Sequence, residues 1–569
     1  MKKNLKPKDG KWDFNFSETM DGRPIINNRR RETKEKLVVK SPATLEPVGE
    51  ACLASSADCE EALRSARLAF PSWRDIAIRE RQRIFRRAGQ ILFDRSNEVA
   101  RLLAMEKGSP LAEALSVEVL GSLEALDYYG RNLGKGIAPK KTKSHLPLFA
   151  HKKSLFKFQP LGPTLIISPW NFPLLIPVCD IVSALATGNT VILRPSRTTP
   201  FIALLVGEVF LEAGLPPGVL NVVPCRTAQA EELITHPGLM TVMFTGSVPT
   251  GKRIMELASR NLTNVVLELG GKDPMIVLED ADLERAVSGA VWAAFMNTGQ
   301  SCASIERVYV AREVAGAFTE KAVAMTKRIK VGNPLDVSTE MGPLTTLGQL
   351  ELVEAHIRDA REKGATVLCG GERPRASPGY FLAPAVLTGV DHTMKIMKEE
   401  TFGPVLPIMA FGDPEEAITL ANDCGYGLTA SVWTRDRQAA ARIADRLEAG
   451  SVTINDHMYS FTEPKAIWGG IKQTGMGRSH GPYGLLHLVN IKYIGADFAK
   501  NSGQLWWYPY DAERTGVIRR ALALLHQNGL MKKLRAALSL LPSWGTVRRG
   551  TSMKSILSIV GRIFRKSKT

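Results

Sequence analysis

The stretch TLIISPWNFPLLIPVCDIVSALATGNTVILRPS (164–196) reads as a strand, a helix and a second strand, and this reading decides the fold. TLIISP (164–169) and TVILRPS (190–196) are the strands, and the segment after PWNFP is the helix between them. The same alternation continues through a helix at TPFIALLVGEVFLEAG (199–214), a strand at VLNVVP (219–224) and a helix around 227–235. A strand at TVMFTGS (241–247), a helix over 249–260 and a strand at NVVLEL (264–269) complete it. Strands recurring with helices between them predict a parallel sheet covered on both faces. Upstream, SPATLEPVGEACLASSAD (41–58) reads as two short strands around a turn. Residues 59–105 then keep one apolar helical face behind an Asp58 cap, and a further helix covers 110–133. LPLFAHKKSLFKFQPLG (146–162) alternates like a hairpin, a second alternating block runs from Pro274 to about Lys465, and HLVNIKYIGAD (487–497) is a final strand.

Three residues carry chemistry. AVSGAVWAAFMNTGQSCASIE (286–306) is an apolar helix running into a Gly-Gln-Ser turn that presents Cys302. A thiol is a useful nucleophile only as a thiolate, so its setting decides its use. LELGGKDP (267–274) holds Glu268 in an apolar run just before a Gly-Gly turn, the position of a general base. SPWNFP (168–173) holds Asn171 between prolines that stiffen its loop. Taken singly, these are also what a packed small hydrophobe, a turn carboxylate and a turn former look like. Together they supply nucleophile, base and oxyanion stabiliser for thioester chemistry on a carbonyl.

PWNFP (169–173), FTGS (244–247), LELGGK (267–272), GQSC (299–302), EETFGP (399–404) and GGIKQTGMGR (469–478) occur in the order of the NAD(P)-dependent aldehyde dehydrogenase superfamily. The chain resembles that family over roughly residues 37–497. The resemblance implies an α/β fold with a Rossmann-type cofactor domain (37–145 and 161–270), an α/β catalytic domain (271–465) and a small β oligomerisation arm (146–160 and 466–497). Outside the family body, residues 1–36 are polar with little periodicity and read as a loosely attached arm, and 498–569 read as a basic amphipathic tail. Cys302 would attack an aldehyde, Asn171 and the Cys302 N–H would hold the oxyanion, and Glu268 would activate water. A carboxylate at position 268 favours hydrolysis over acyl transfer to coenzyme A. Many members have a lysine nine residues after the oxyanion asparagine; here it is Asp180, so no catalytic lysine is assigned there. Phe172, Leu175, Ile176, Met296, Ser301, Ala303 and Trp468 match the aldehyde funnel and are mostly apolar, so an aliphatic or aromatic aldehyde is expected.

No GxGxxG follows a strand. GSVPTGK (246–252) matches the first seven positions of a P-loop, but Arg253 stands where magnesium binding needs Ser or Thr, which speaks against an NTPase. By resemblance Gly246, Ser247 and nearby amides would meet a pyrophosphate at a helix N-terminus. Ser168 and Trp170 would lie along it, and Glu400 and Phe402 would hold the nicotinamide ribose. Family members commonly read Lys-Pro-Ser-Glu where this chain reads Arg194, Pro195, Ser196 and Arg197, and a glycine pair where it has Cys225 and Arg226. Losing the glutamate removes a group that would repel a 2′-phosphate, and arginine forks suit phosphate. NADP is therefore expected ahead of NAD, unless Arg197 and Arg226 simply face solvent.

The chain has 569 residues, 44% hydrophobic and 23% charged, a globular composition long enough for several domains. Seven scattered cysteines argue for a reducing, cytoplasmic setting rather than a disulfide framework, and no Cys/His spacing suggests a metal. MKKNLKPKDG has no apolar segment behind its lysines, so it does not read as a signal peptide. The +17 net charge is local: residues 514–569 hold thirteen Lys/Arg and no Asp/Glu, leaving +4 for the rest. In 551–566, Met553, Ile556, Leu557, Val560, Ile563 and Phe564 form one helical stripe, and 516–541 is similarly basic and leucine-rich. The tail thus predicts attachment to an anionic membrane surface, on its inner face, without spanning it. Docking on the enzyme's own surface and nucleic-acid binding are the rival readings, and in another class of function the tail would be the working part on a dehydrogenase-like scaffold. A homodimer or tetramer is the expected assembly.

Overall fold

The computed structural model describes residues 20–374, 378–499 and 503–565. The alternation over 164–269 folds into five parallel strands, Thr164–Ile167, Val191–Arg194, Leu220–Val222, Thr241–Thr245 and Asn264–Glu268. Their apolar runs are buried on both faces, as a helix-covered parallel sheet requires. Ile166, Ile192, Leu193, Val242 and Val266 are at most 1% exposed, and each such burial is worth roughly 2 kcal/mol. The helix Leu175–Thr187 is buried along its whole length and ends at Gly188, whose φ of 97° makes the left-handed cap that other residues resist.

Residues 20–36 correct the expectation of a loose polar arm. Ile25–Ile26 and Arg29–Arg30 form a tight antiparallel pair, and Ile25 pairs with Val222 to extend the sheet. Two adjacent isoleucines suffice, because the sheet edge buries both. The other edge gains Gly475–Met476, antiparallel to Leu267 and Glu268. The helical run expected from residue 59 is three helices, Ser56–Asp75, Ile78–Asp94 and Ser96–Glu106. The first is capped by Ser55, with Asp58 closing the capping box rather than serving as the cap itself.

The second block builds a seven-stranded sheet in the order Thr366–Cys369, Ala385–Thr388, Val405–Phe411, Ile305–Ala311, Asp273–Val277, Thr429–Trp433 and Ser451–Ile454. All neighbours are parallel except the first pair. Leu283–Phe295 packs on it as the helix that leads to Cys302.

Two compact units result: the larger ends at Gly136 and resumes over Pro160–Val489, and the smaller takes Ile137–Gln159 and the chain from Asn490 onward. In the smaller unit a three-stranded sheet runs Val489–Ala496, Lys153–Pro160, Lys140–Thr142. The expected 146–162 hairpin is thus a single strand preceded by the turn Pro147–Phe149, its partner lying further upstream. The tail forms helices Ala512–His526, Leu530–Leu538, Trp544–Gly550 and Met553–Arg565. Leu524, Ala536 and Ile559 make one small core with Leu148, and Leu505, Val517 and Val547 make another. Ser555 Oγ donates to Leu148 O at 2.8 Å and meets His151 Nδ1 at 2.7 Å, so tail and arm form one packed body. Side chains from Arg562 on, including those of Ile563 and Phe564, lie outside the described residues, as do 1–19.

Candidate active site

Glu268 is the last residue of its strand, Asn171 follows the strand Thr164–Ile167, and Ser247 caps the helix Val248–Ser259 just beyond Thr241–Thr245. Carboxyl ends of parallel strands are where open α/β sheets present ligand sites. Cys302 comes from the other sheet, on the turn between the helix Leu283–Phe295 and the strand Ile305–Ala311. That turn is tight, with Asn297 and Thr298 at φ 55° and 57°. The Gly-Gly turn after Glu268 exists for close approach: a Cβ on Gly271 would overlap the Cys302 carbonyl, and one on Gly270 the Glu400 carboxylate.

Two cavities meet here. The first, about 160 Å³, is lined by all seven positions assigned to the aldehyde funnel, together with Val117, Trp292, Tyr459 and Phe461. The second, about 300 Å³, is lined by Trp170, Asn171, Gly246, Ser247, Glu268, Glu400 and Phe402, with Gln349. Among the described residues, Cys302 alone lines both. Ser168, Arg194, Ser196 and Arg197 are not on the walls of either. Ser168 and Arg194 face each other across adjacent strand ends, with Ser168 N–H donating to Arg194 O at 3.1 Å. Ser196 Oγ accepts from Thr198 N–H at 3.2 Å, and Arg197 is exposed. Arg194 donates to Cys225 O at 3.2 Å, and Arg226 is held in an ion pair by Glu35.

Burial, and then the nearby Asp273, Glu400 and Glu268 carboxyls, push the Cys302 thiol up, so at rest it keeps its proton. Glu268 is 6% exposed and both its carboxyl oxygens lack a protein partner. Burial first, then Asp180, raise its pKa well above the ordinary carboxylate range, with Arg478 and Ser479 opposing. Asn171 donates one amide hydrogen to Gln300 O at 3.1 Å, and Asn297 donates to Asn171 O at 2.9 Å, tying the loop to the cysteine turn. Glu400 accepts from Gly271 N–H at 2.9 Å and is pushed up to about 8 by burial.

Sequence reasoning missed the supports. Gln349 donates to Thr401 O and Phe402 O at 2.9 and 3.0 Å, and Glu306 accepts from the N–H groups of Thr401 and Phe402, both at 2.8 Å. A π-helical turn, Ala114–Val119, carries Glu118, which accepts from Leu174 and Leu175 N–H at 2.9 and 3.2 Å and pairs with buried Lys107 at 3.1 Å. Glu113, just before it, accepts from Asn297 N–H. The signal was present: two glutamates and a lysine on the apolar side of helical sequence. What they hold in place was not.

A cleft at strand ends beside a helix N-terminus, walled by Trp170, Glu400 and Phe402, fits a dinucleotide. The model of the aldehyde dehydrogenase family matches residues 29–494. The chain belongs to the aldehyde dehydrogenase family. A human 4-trimethylaminobutyraldehyde dehydrogenase is 38% identical over 459 residues, covering 80% of this chain and 91% of that protein. An Escherichia coli NADP-dependent enzyme is 35% identical with a TM-score of 0.81, covering 84% of this chain and 98% of the other. An NAD+ complex of a Bacillus cereus aldehyde dehydrogenase is 35% identical with a TM-score of 0.81, covering 84% and 97%. This chain is thus an NAD(P)-dependent aldehyde dehydrogenase carrying seventy-five residues after the family match.

Proposed function

We propose that this enzyme oxidises an apolar aldehyde to its carboxylic acid through a thiohemiacetal and a thioester on Cys302. The observation that carries the reading is the position of Cys302 on both cavities: an aldehyde carbon bonded to its Sγ faces the cofactor cleft. The thiol loses its proton to solvent and Sγ attacks as thiolate, leaving the uncommitted oxygens of Glu268 for the hydrolytic step. The second Asn171 amide hydrogen and the Cys302 N–H receive the oxyanion; one such donor is worth about 3 kcal/mol. A bound nicotinamide supplies the acceptor for the hydride leaving that carbon. Glu268 then takes a proton from the water that attacks the thioester, and Cys302 leaves as thiolate. Ser247 and the first-turn amides of its helix would hold the pyrophosphate beside Trp170, and Glu400 with Phe402 the nicotinamide ribose.

Five aromatic side chains on the substrate cavity, Phe172, Trp292, Tyr459, Phe461 and Trp468, with no Lys, Arg, Asp or Glu among its lining residues, favour a second reading. A trimethylammonium aldehyde would be held there by cation–π attraction. An absorbance assay of NAD(P)H with hexanal, benzaldehyde and 4-trimethylaminobutyraldehyde ranks the two readings, and no turnover of any of them would overturn both.

For the cofactor we propose NADP ahead of NAD, through Arg194 and Arg197. Arg226 contributes less than the sequence suggests, because Glu35 occupies its fork. Arg197→Glu is expected to shift the ratio of kcat/KM from NADP toward NAD by on the order of tenfold. An unchanged ratio would mean Arg197 serves solvent alone.

We propose further that the tail attaches the enzyme to an anionic membrane surface on the cytoplasmic side. Its cores leave Leu522, Leu538, Leu541, Trp544, Met553, Leu557 and Val560 exposed, on a segment with thirteen basic and no acidic residues. No helix among the described residues is long and apolar enough to cross a membrane. Each basic residue near such a surface contributes roughly 1 kcal/mol. Full-length protein should pellet with phosphatidylglycerol vesicles at low salt, while an active chain stopped after Tyr510 stays in solution. Equal partitioning of the two would exclude the tail as the anchor. On the smaller unit's sheet Ile491, Tyr493 and Ile494 are also exposed, which supports pairing with a second copy of the chain into a homodimer or tetramer.

A further inference from the structure

Ser116 and Val117 line the substrate cavity from the π-helical turn Ala114–Val119, and Glu118, next in the chain, is 1% exposed. The turn is wider than an α-helical one, with Leu120 N–H donating to Leu115 O across it. Two consecutive residues thus border the cavity while the third is turned into the protein. There Glu118 Oε2 accepts from Leu174 N–H at 2.9 Å and Leu175 N–H at 3.2 Å, at the start of the helix Leu175–Thr187. Its other oxygen, Oε1, lies 3.1 Å from Nζ of Lys107, which is 2% exposed. Lys107 Nζ also donates to Ser109 Oγ at 2.5 Å and stands 5.1 Å from the centre of the Phe172 ring. Leu175 and Phe172 line the same cavity as Val117. The contact is close behind the turn as well. A Cβ on Gly121 would lie 2.8 Å from Leu175 Cδ1 and 3.3 Å from Thr462 Cγ2, and both of those residues line the cavity.

We propose that Glu118 is a positioning residue that sets substrate specificity: with Lys107 it fixes the width of the cavity between the π-helical turn and the helix Leu175–Thr187, and so selects slender aldehyde chains over wide ones. This rests on the apolar-aldehyde reading above. One carboxylate joins three parts of the wall: Val117 beside it in the chain, Leu175 through its N–H, and Phe172 through Lys107. Both oxygens are committed and the side chain is buried, so these parts keep a fixed spacing. A buried ion pair is a weak source of net stability, and fixing register is its best-attested use. The effect reaches the substrate only through Val117, Leu175 and Phe172, since Glu118 itself is not on the cavity.

The test is competition. Full-length enzyme with saturating cofactor is given hexanal paired with acetaldehyde, then hexanal paired with 2-naphthaldehyde, and the acids are quantified. The ratio of kcat/KM within a pair does not depend on how much of a variant is folded, so a merely structural role would leave it unchanged. Glu118→Asp keeps the charge balance with Lys107 but is one methylene shorter, so it cannot hold Lys107 and both N–H groups together. Glu118→Gln keeps the shape but gives up the charge that Lys107 pairs with. Both should lower the preference for hexanal over acetaldehyde by on the order of tenfold, the effect of a methylene-scale misfit in an apolar pocket. Both should also raise 2-naphthaldehyde relative to hexanal. The loss should appear as a higher KM for hexanal with kcat nearly kept, because wall contacts are made alike in the ground and transition states. If Glu118→Gln fails to fold with Lys107 left unpaired, Glu118→Asp decides alone. Ratios in the Asp protein within about twofold of the wild type would overturn the inference and leave the apolar-aldehyde reading intact. A wild-type enzyme that turns over none of the three aldehydes would overturn that reading itself.

Discussion

Cys302→Ala should abolish aldehyde oxidation, with kcat falling by on the order of 10⁵-fold or more, while NAD(P) still binds. The size of the effect follows from geometry. Cys302 is the residue shared by the two cavities, so no other side chain can bond the aldehyde carbon and present it to the cofactor cleft. No neighbouring thiol substitutes: Cys179 is buried outside both cavities, where desolvation pushes its thiol up. The loss of a small side chain from the turn leaves Ser247, Trp170, Glu400 and Phe402 untouched on the other walls. Cofactor titration by protein fluorescence should therefore give a Kd within a few-fold of the wild type. Turnover at the wild-type rate would remove Cys302 as nucleophile, and loss of cofactor binding with it would mean that the turn, rather than the thiol, was what the substitution destroyed.

Glu268→Gln should produce a stoichiometric burst of NAD(P)H and then stall, with steady-state turnover down by about 10³-fold. Gln keeps the shape of the side chain at the strand end, so the Gly-Gly turn and the packing against Gly469 persist. It cannot accept a proton from water. Hydride transfer needs no base once the thiohemiacetal has formed, whereas hydrolysis needs one for every turnover. A rapid-mix trace separates the two, and the trapped thioester should be detectable as an acyl mass on the Cys302 peptide. A variant with no burst and no acyl mass would assign Glu268 to activation of the thiol instead of water. Wild-type turnover would remove it from the reaction.

The chain alone determined the cofactor sheet. Each strand between 164 and 269 is a short apolar run bounded by turn residues, and local pattern suffices for an element whose both faces are buried. It also singled out Cys302, Glu268 and Asn171 as candidates, because GQSC, LELGGK and PWNFP are contiguous motifs, and the structure sets all three on one cavity. The N-terminal pair Ile25–Ile26 escaped notice because two residues have no period; only the open edge at Val222 makes them a strand. Arg226 looked available for a phosphate until Glu35, 191 residues earlier, was seen to hold it. The helix Met553–Arg565 was legible from its spacing, but the basic stretch 516–541 is two helices parted at Gly529, and which apolar residues enter the tail's cores depended on Leu148, far upstream. Local periodicity fixes elements and contiguous motifs, since their determinants lie within a few residues. The charge state of a buried carboxyl and the fate of an arginine fork are set by groups that meet only when distant segments pack, so the tertiary structure alone decided them.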